Sequence, residues 1–246
     1  MPLTKHNHVV TNAKKMISLV NNKEYLISTN SRLIFNEKIK YITEILEKTK
    51  IDFTDNEDEL ESKFWQEHNI LDQTDLSEAD FEFYTELLES YKDKHKHLPQ
   101  ILYKSLIVSI YSIIETTLSE LVKATEINAS KKIKYKHLKN NGNEIENYLN
   151  YFKLIYDLDL TKPQDILTEL KNYADVRNNI VHYNGNLKGD NEGRKSRITK
   201  FVEKIKTLEI ESNENLFIKD CKFIFDFLDL TNRFGYNLFD NYKIEK

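Results

Sequence analysis

Arg177 and His182 stand five positions apart in the stretch RNNIVHYNG, residues 177–185. An imidazole near its reference pKa can take up or release a proton at neutral pH. A guanidinium can hold two oxygens of an anionic group as charge builds on them. Proton transfer beside a stabilised oxyanion is therefore the chemistry these two side chains could perform together. Asn178 supplies a polar neighbour. Glu115 is the one carboxylate in the otherwise apolar stripe Val108, Tyr111, Glu115, Leu118, Val122. Because lone buried charges are costly, Glu115 and Arg177 are expected to face each other across a helix pair. The same pair could be purely structural, with His182 simply favoured at a helix C-terminus, where its positive form meets the dipole.

These residues need a helix to hold them, and LTKPQDILTELKNYADVRNNIVHYNG has the marks of one. Thr161 is the expected N-cap, Pro163 and Gln164 suit the first turn, and Asn184-Gly185 supplies a left-handed stop. Leu170, Ala174, Arg177 and Val181 share one stripe, Asp175, Asn178 and His182 the next. The long stem of the arginine lets Arg177, Asn178 and His182 converge at the edge of a buried surface. A central core helix is expected to start at Pro99 (PQILYKSLIVSIYSIIETTLSELVKA), and Ser77 with Asp80 opens another in a variant capping box. Residues 11–50 read as one or two helices, and EIENYLNYFKLIYDL as a further one after the polar turn KNNGN. NLKGDNEGRKSR reads as a loop followed by a helix over ITKFVEKIK. TLEIESNENLFI alternates around Ser212 and Asn213, which predicts a small β-hairpin. A last helix, KDCKFIFDFLDLTNRF, is expected to end at Gly235.

Five Gly and three Pro in 246 residues suit a predominantly all-α fold with a sizeable core. They also leave no Gly-rich phosphate loop, and neither a P-loop nor a dinucleotide-binding signature is present, which excludes an ATPase or dehydrogenase and predicts no cofactor. The longest apolar run, residues 106–114, is too short for a bilayer, and the N-terminus lacks the apolar core of a signal peptide. With Cys221 the single cysteine, a soluble cytoplasmic protein without disulfides or a thiolate metal site is expected. The His pairs in KHNH (5–8) and HKH (95–97) have no accompanying carboxylate or Cys set, so no metal is expected there. Charge is uneven, since residues 51–93 hold 15 acidic residues against two lysines in a chain of net charge -4. That asymmetry divides the chain into an acidic helical region, 1–96, and a second domain, 97–246. The acidic block reads as a solvated face or as a regulator covering a basic cleft.

RNNIVH resembles the R-x(4-6)-H motif of HEPN domains (higher eukaryotes and prokaryotes nucleotide-binding), in which a polar residue commonly follows the Arg. SLIVSIYSIIETTLSELV is similar to the helix that packs beside the motif in that family, and the resemblance covers roughly residues 99–240. It implies an antiparallel helical bundle that dimerises so that two motifs share one composite cleft. It also implies Arg177 and His182 as catalytic pair, Asn178 as their support and Glu115 as orienter. Many such proteins are metal-independent ribonucleases of toxin-antitoxin, abortive-infection or phage-defence systems, and others are inactive RNA- or protein-binding modules. Tyr183 follows His182 directly, unlike one subgroup in which another residue intervenes, so functions particular to that subgroup are not implied.

In RNA the nucleophile is the substrate's own 2'-hydroxyl, so a proton must leave it, charge must be stabilised on phosphate and the 5'-oxygen must be assisted. Two His182 in a dimer would supply base and acid, leaving 2',3'-cyclic phosphate and 5'-hydroxyl ends on a tRNA or mRNA target. Arg194, Lys195 and Arg197 in GRKSR are candidates for tracking the RNA backbone, as is the basic run KKIKYKHLK (131–139). Tyr183 is a candidate for stacking on a base. The competing expectation is a catalytically silent module that binds RNA or a partner protein. An antitoxin or other defence-system partner would accompany the active form.

Overall fold

The computed structural model describes residues 30–49, 57–68, 77–128, 133–138, 143–159 and 164–241. Among them are seven α-helices: α1 (30–49), α2 (Glu57–Glu67), α3 (Glu78–Asn128), α4 (Glu144–Tyr156), α5 (Gln164–Tyr183), α6 (Glu192–Val202) and α7 (Lys222–Asn241). A short 3-10 turn spans Tyr135–His137. The strands β1 (Leu208–Ile210) and β2 (Leu216–Ile218) pair antiparallel, Leu208 opposite Ile218 and Ile210 opposite Leu216. The fold is thus predominantly all-α, with the small hairpin that the alternation around Ser212 predicts. The KHNH stretch, the Thr161 cap and Pro163 lie outside the described residues.

Local chemistry accounts for several boundaries. The Ser77 hydroxyl accepts from the Asp80 amide at 3.2 Å while Asp80 Oδ2 accepts from the Ser77 amide at 3.1 Å, a reciprocal capping box at the start of α3. Asn143 caps α4 by accepting from the Ile145 amide at 2.8 Å.

Three boundaries depart from expectation. Pro99 does not begin a helix but lies inside α3, which runs unbroken for 51 residues through the position expected to divide two domains. An interior proline costs roughly 3 kcal/mol. That is less than the gain from burying Tyr103, Leu106, Ile107, Ile110, Tyr111, Ile114, Leu118 and Leu121 along the same helix, at about 1.5–3 kcal/mol each. α3 is also long and apolar enough to cross a membrane, although more than half of its most apolar stretch is buried in the fold. Helix α6 begins at Glu192, because Asn191 caps it by accepting from the Arg194 amide at 2.9 Å, so GRKSR is helical rather than loop. Gly235 does not end α7. It sits mid-helix, where its bare Cα leaves room for the ring of Phe35.

The chain divides into two compact units. The first comprises Met1–Tyr41, Ser109–Asp175 and Asp226–Lys246. Its core includes Phe35 against Phe239 at 5.8 Å between ring centroids, and Tyr173 stacked on Phe227 at 4.1 Å. The second comprises Ile42–Val108 and Val176–Phe225. Within it α2 and the start of α3 share a small apolar cluster of Phe64 and Leu88, covered by Trp65, Tyr84, Leu87 and Tyr91. Lys92 bonds Glu61 across that pair at 2.9 Å, and with the Trp65 indole it holds the Glu61 carboxyl below the usual carboxylate range. The same unit contains the end of α5, α6 and the hairpin.

Candidate functional site

The last two turns of α5 decide where the reactive side chains point. Val176 and Asn179 are fully buried, Arg177 and Asn178 are half-buried, and Val181, His182 and Tyr183 are exposed. The buried line therefore passes through Val176 and Asn179, and Arg177 lies on its flank rather than within it. Val181, expected on the buried stripe, is 47% exposed, because α5 leaves its core before its last turn. The Arg177 guanidinium donates to Asn178 Oδ1 at 2.9 Å. His182 occupies the final turn, its ring edge-on to Tyr183 at 6.3 Å. Glu115 is half-buried on α3 in the first unit. Burial pushes the Tyr148 hydroxyl of α4 upward, and the nearby Glu115 carboxylate adds to that shift.

The end of α5 is held firmly. Asn184 and Gly185 take left-handed backbone conformations, φ 53° and 88°, and the Asn184 amide donates to Ile180 O at 2.9 Å. Lys104 of α3 donates from Nζ to Asn184 O at 3.1 Å, so a cation meets the negative end of the helix. Its partial burial lowers the Lys104 pKa, opposed by Glu211. Beyond the stop, Leu216 donates to Gly185 O at 2.8 Å, Leu187 donates to Glu214 O at 2.9 Å, and Asn186 bridges Asn215. The segment leaving the motif thus extends the edge of β2. Further along that edge the side chain of Gln100 donates to Ile218 O at 2.8 Å and accepts from Ile218 N at 2.9 Å, standing in for a strand's peptide group.

A polar knot locks α6 to α5. The Asp190 carboxylate, with its side chain fully shielded from solvent, accepts from Asn179 Nδ2 at 3.0 Å, the Asn191 amide at 2.8 Å and Arg194 Nη1 at 3.0 Å. Asn179 Nδ2 also donates to Asn186 O at 3.0 Å. Sequence reasoning missed Asn179, Asp190 and Gln100. Only Asn191, an Asn just ahead of a charged helical run, offered a legible capping signal.

Of the four residues expected to touch RNA, two are occupied otherwise. Arg194 is committed to Asp190, and Lys195 pairs with Glu214 at 2.8 Å, which raises the lysine pKa and lowers that of the carboxyl. Arg197 is exposed on α6. Tyr183 is 37% exposed, with its ring lying over Gly189, where a Cβ would come within 2.6 Å of it. In the basic run at 131–139, Tyr135 is stacked on Tyr148 at 4.7 Å and bonded to Glu144, so its ring is packed inward. Among the described residues no group of three His, Cys, Asp or Glu is arranged to hold a metal ion.

The arrangement offers an exposed imidazole on a rigid helix end, with a guanidinium about one and a half turns earlier on the same helix. It can move a proton at His182 and hold an anion at Arg177. No known protein family, curated protein or solved structure matches this chain.

Proposed function

We propose that the chain is a metal-independent endoribonuclease of HEPN type, which cleaves RNA by attack of the substrate's own 2'-hydroxyl. The observation that carries this reading is the placement of Arg177 and His182. A solvent-facing imidazole ends a helix whose preceding turns hold a guanidinium already oriented by Asn178. Arg177 holds the phosphate oxygens on which charge accumulates, and His182 removes or returns the proton. One imidazole cannot serve both attacking and leaving oxygens at once, so two copies of the chain form the working site as a homodimer. The reaction draws its nucleophile from the substrate and its proton transfers from imidazole, so no cofactor enters it. Such an enzyme acts in the cytoplasm as a toxin or anti-phage effector, restrained by an antitoxin or other system partner.

The test is incubation of the purified protein with total RNA and tRNA in EDTA, beside His182→Ala, with end-group analysis of the fragments. EDTA-resistant cleavage leaving 2',3'-cyclic phosphate ends, abolished in the variant, is the expected result. Cleavage undiminished in His182→Ala, or no cleavage by a folded dimeric protein, would overturn the reading and leave an RNA- or protein-binding module.

A further inference from the structure

The exposed face of α6 carries cations at helical spacing. Arg197, Lys200 and Lys204 stand at i, i+3 and i+7, and all three are exposed. Past Val202 the chain closes in a last turn, the Glu203 amide donating to Thr199 O and the Lys204 amide to Phe201 O at 3.0 Å each, which leaves Lys204 exposed just beyond the helix end. The acidic residues Glu192 and Glu203 share the opposite edge of that face with Lys195, which is turned to Glu214. Ile198 and Phe201 bury the remaining side. Lys200 and Lys204 form no ion pair with any described residue. The Arg197 guanidinium lies toward Gly193, one turn earlier, with Nη1 3.6 Å from where a Cβ on that glycine would stand.

We infer that this flank of α6 is a track for the phosphodiester backbone of single-stranded nucleic acid. The inference rests on the ribonuclease reading for its choice of RNA, and names the surface that would hold the strand. The seven positions from Arg197 to Lys204 rise about 10 Å, enough to face more than one phosphate of a single strand. Arg194 and Lys195 do not take part, because the first is bound to Asp190 and the second to Glu214. Instead Arg194 and Asp190 tie the first turn of α6 to Asn179 on α5, which fixes the track with respect to the helix that ends at His182.

The experiment is fluorescence anisotropy of the full chain with a labelled single-stranded 2'-O-methyl oligonucleotide, across a salt series. This probe has no free 2'-hydroxyl and cannot be cleaved by the proposed route, so binding is read separately from catalysis. The variant R197Q/K200Q/K204Q should flatten the log affinity against log salt slope by about 2, three charges at roughly 0.7 each, and weaken binding at low salt at least tenfold or so. The control K123Q/K153Q/K171Q, which removes three exposed cations from the first unit, should leave slope and affinity unchanged. Melting curves confirm that each variant is folded. An unchanged slope in the α6 variant, an equal loss in the control, or no binding by the wild-type chain would overturn the inference. Binding lost as expected in a protein that cleaves nothing would sustain the track while removing the ribonuclease.

Discussion

Replacing Asp190 by alanine should be among the most damaging single substitutions in the second unit. The change deletes the acceptor for Asn179, for the Asn191 amide and for Arg194. Breaking a buried ion pair from one side typically costs about 3–5 kcal/mol, because the surviving charge is left uncompensated. The Arg194 side chain is 21% exposed and regains part of its hydration, so the low end, about 3 kcal/mol, applies here. For a chain of this length each kcal/mol moves the melting midpoint by about 2–4 °C, which gives a drop of roughly 6–12 °C. Thermal melting followed by circular dichroism measures it directly. Asp190→Asn keeps shape and an acceptor but loses charge, and should fall about half as far. The double variant D190A/R194M should be more stable than the two single effects summed, since it removes the orphaned cation together with its partner. A melting point for Asp190→Ala within about 2 °C of wild type would refute the reasoning.

Two further outcomes are expected. Gln100→Ala strips both partners from the Ile218 backbone, at about 1–3 kcal/mol per unsatisfied buried group, so stability should fall by about 2–6 kcal/mol. Hydrogen exchange at the Ile218 amide should accelerate in that variant, and unchanged protection would count against the strand-mimic role. Burial, with Cys221 and Asp220 nearby, pushes the Tyr103 hydroxyl up to about 12, and burial raises Tyr151 and Tyr173 as well. The unfolded phenols ionise near 10, so the stability these groups confer is complete below about pH 10 and is lost as pH climbs toward 12. Phenolate absorbance should therefore rise together with loss of helical signal, and Tyr103→Phe should move the alkaline midpoint upward; no movement would contradict the linkage.

What could be read in advance follows from the range of the forces involved. The Ser77–Asp80 box, the Asn184-Gly185 stop and the hairpin around Ser212 are set by neighbours within a few residues, and those patterns stand in the sequence. Pro99 was misread because its local penalty is outweighed by burial along α3, a tertiary term. Gly235 was misread for a similar reason, since the ring of Phe35, two hundred positions away, needs its bare Cα. At the candidate site, the positions of Arg177, Asn178 and His182 near a helix end were legible from the cap. Which face of α5 is buried was not, because Asn179 reads as an ordinary polar residue until Asp190 folds back onto it. The same knot explains why Arg194 and Lys195 looked available: their carboxylate partners, one of them 19 residues away, carry no local signature.

Gln100 and Ile218 lie 118 positions apart. During synthesis at about 5–20 residues per second, Gln100 would leave the ribosome roughly 6–24 s before its strand exists. Through that interval Gln100 has no strand to bond, and the edge of β2 and the segment following the motif helix must wait until residues 214–218 are made. The C-terminal end of α5 would then acquire its final bracing only after β2 has been made, and an interrupted translation product would display the motif without its support.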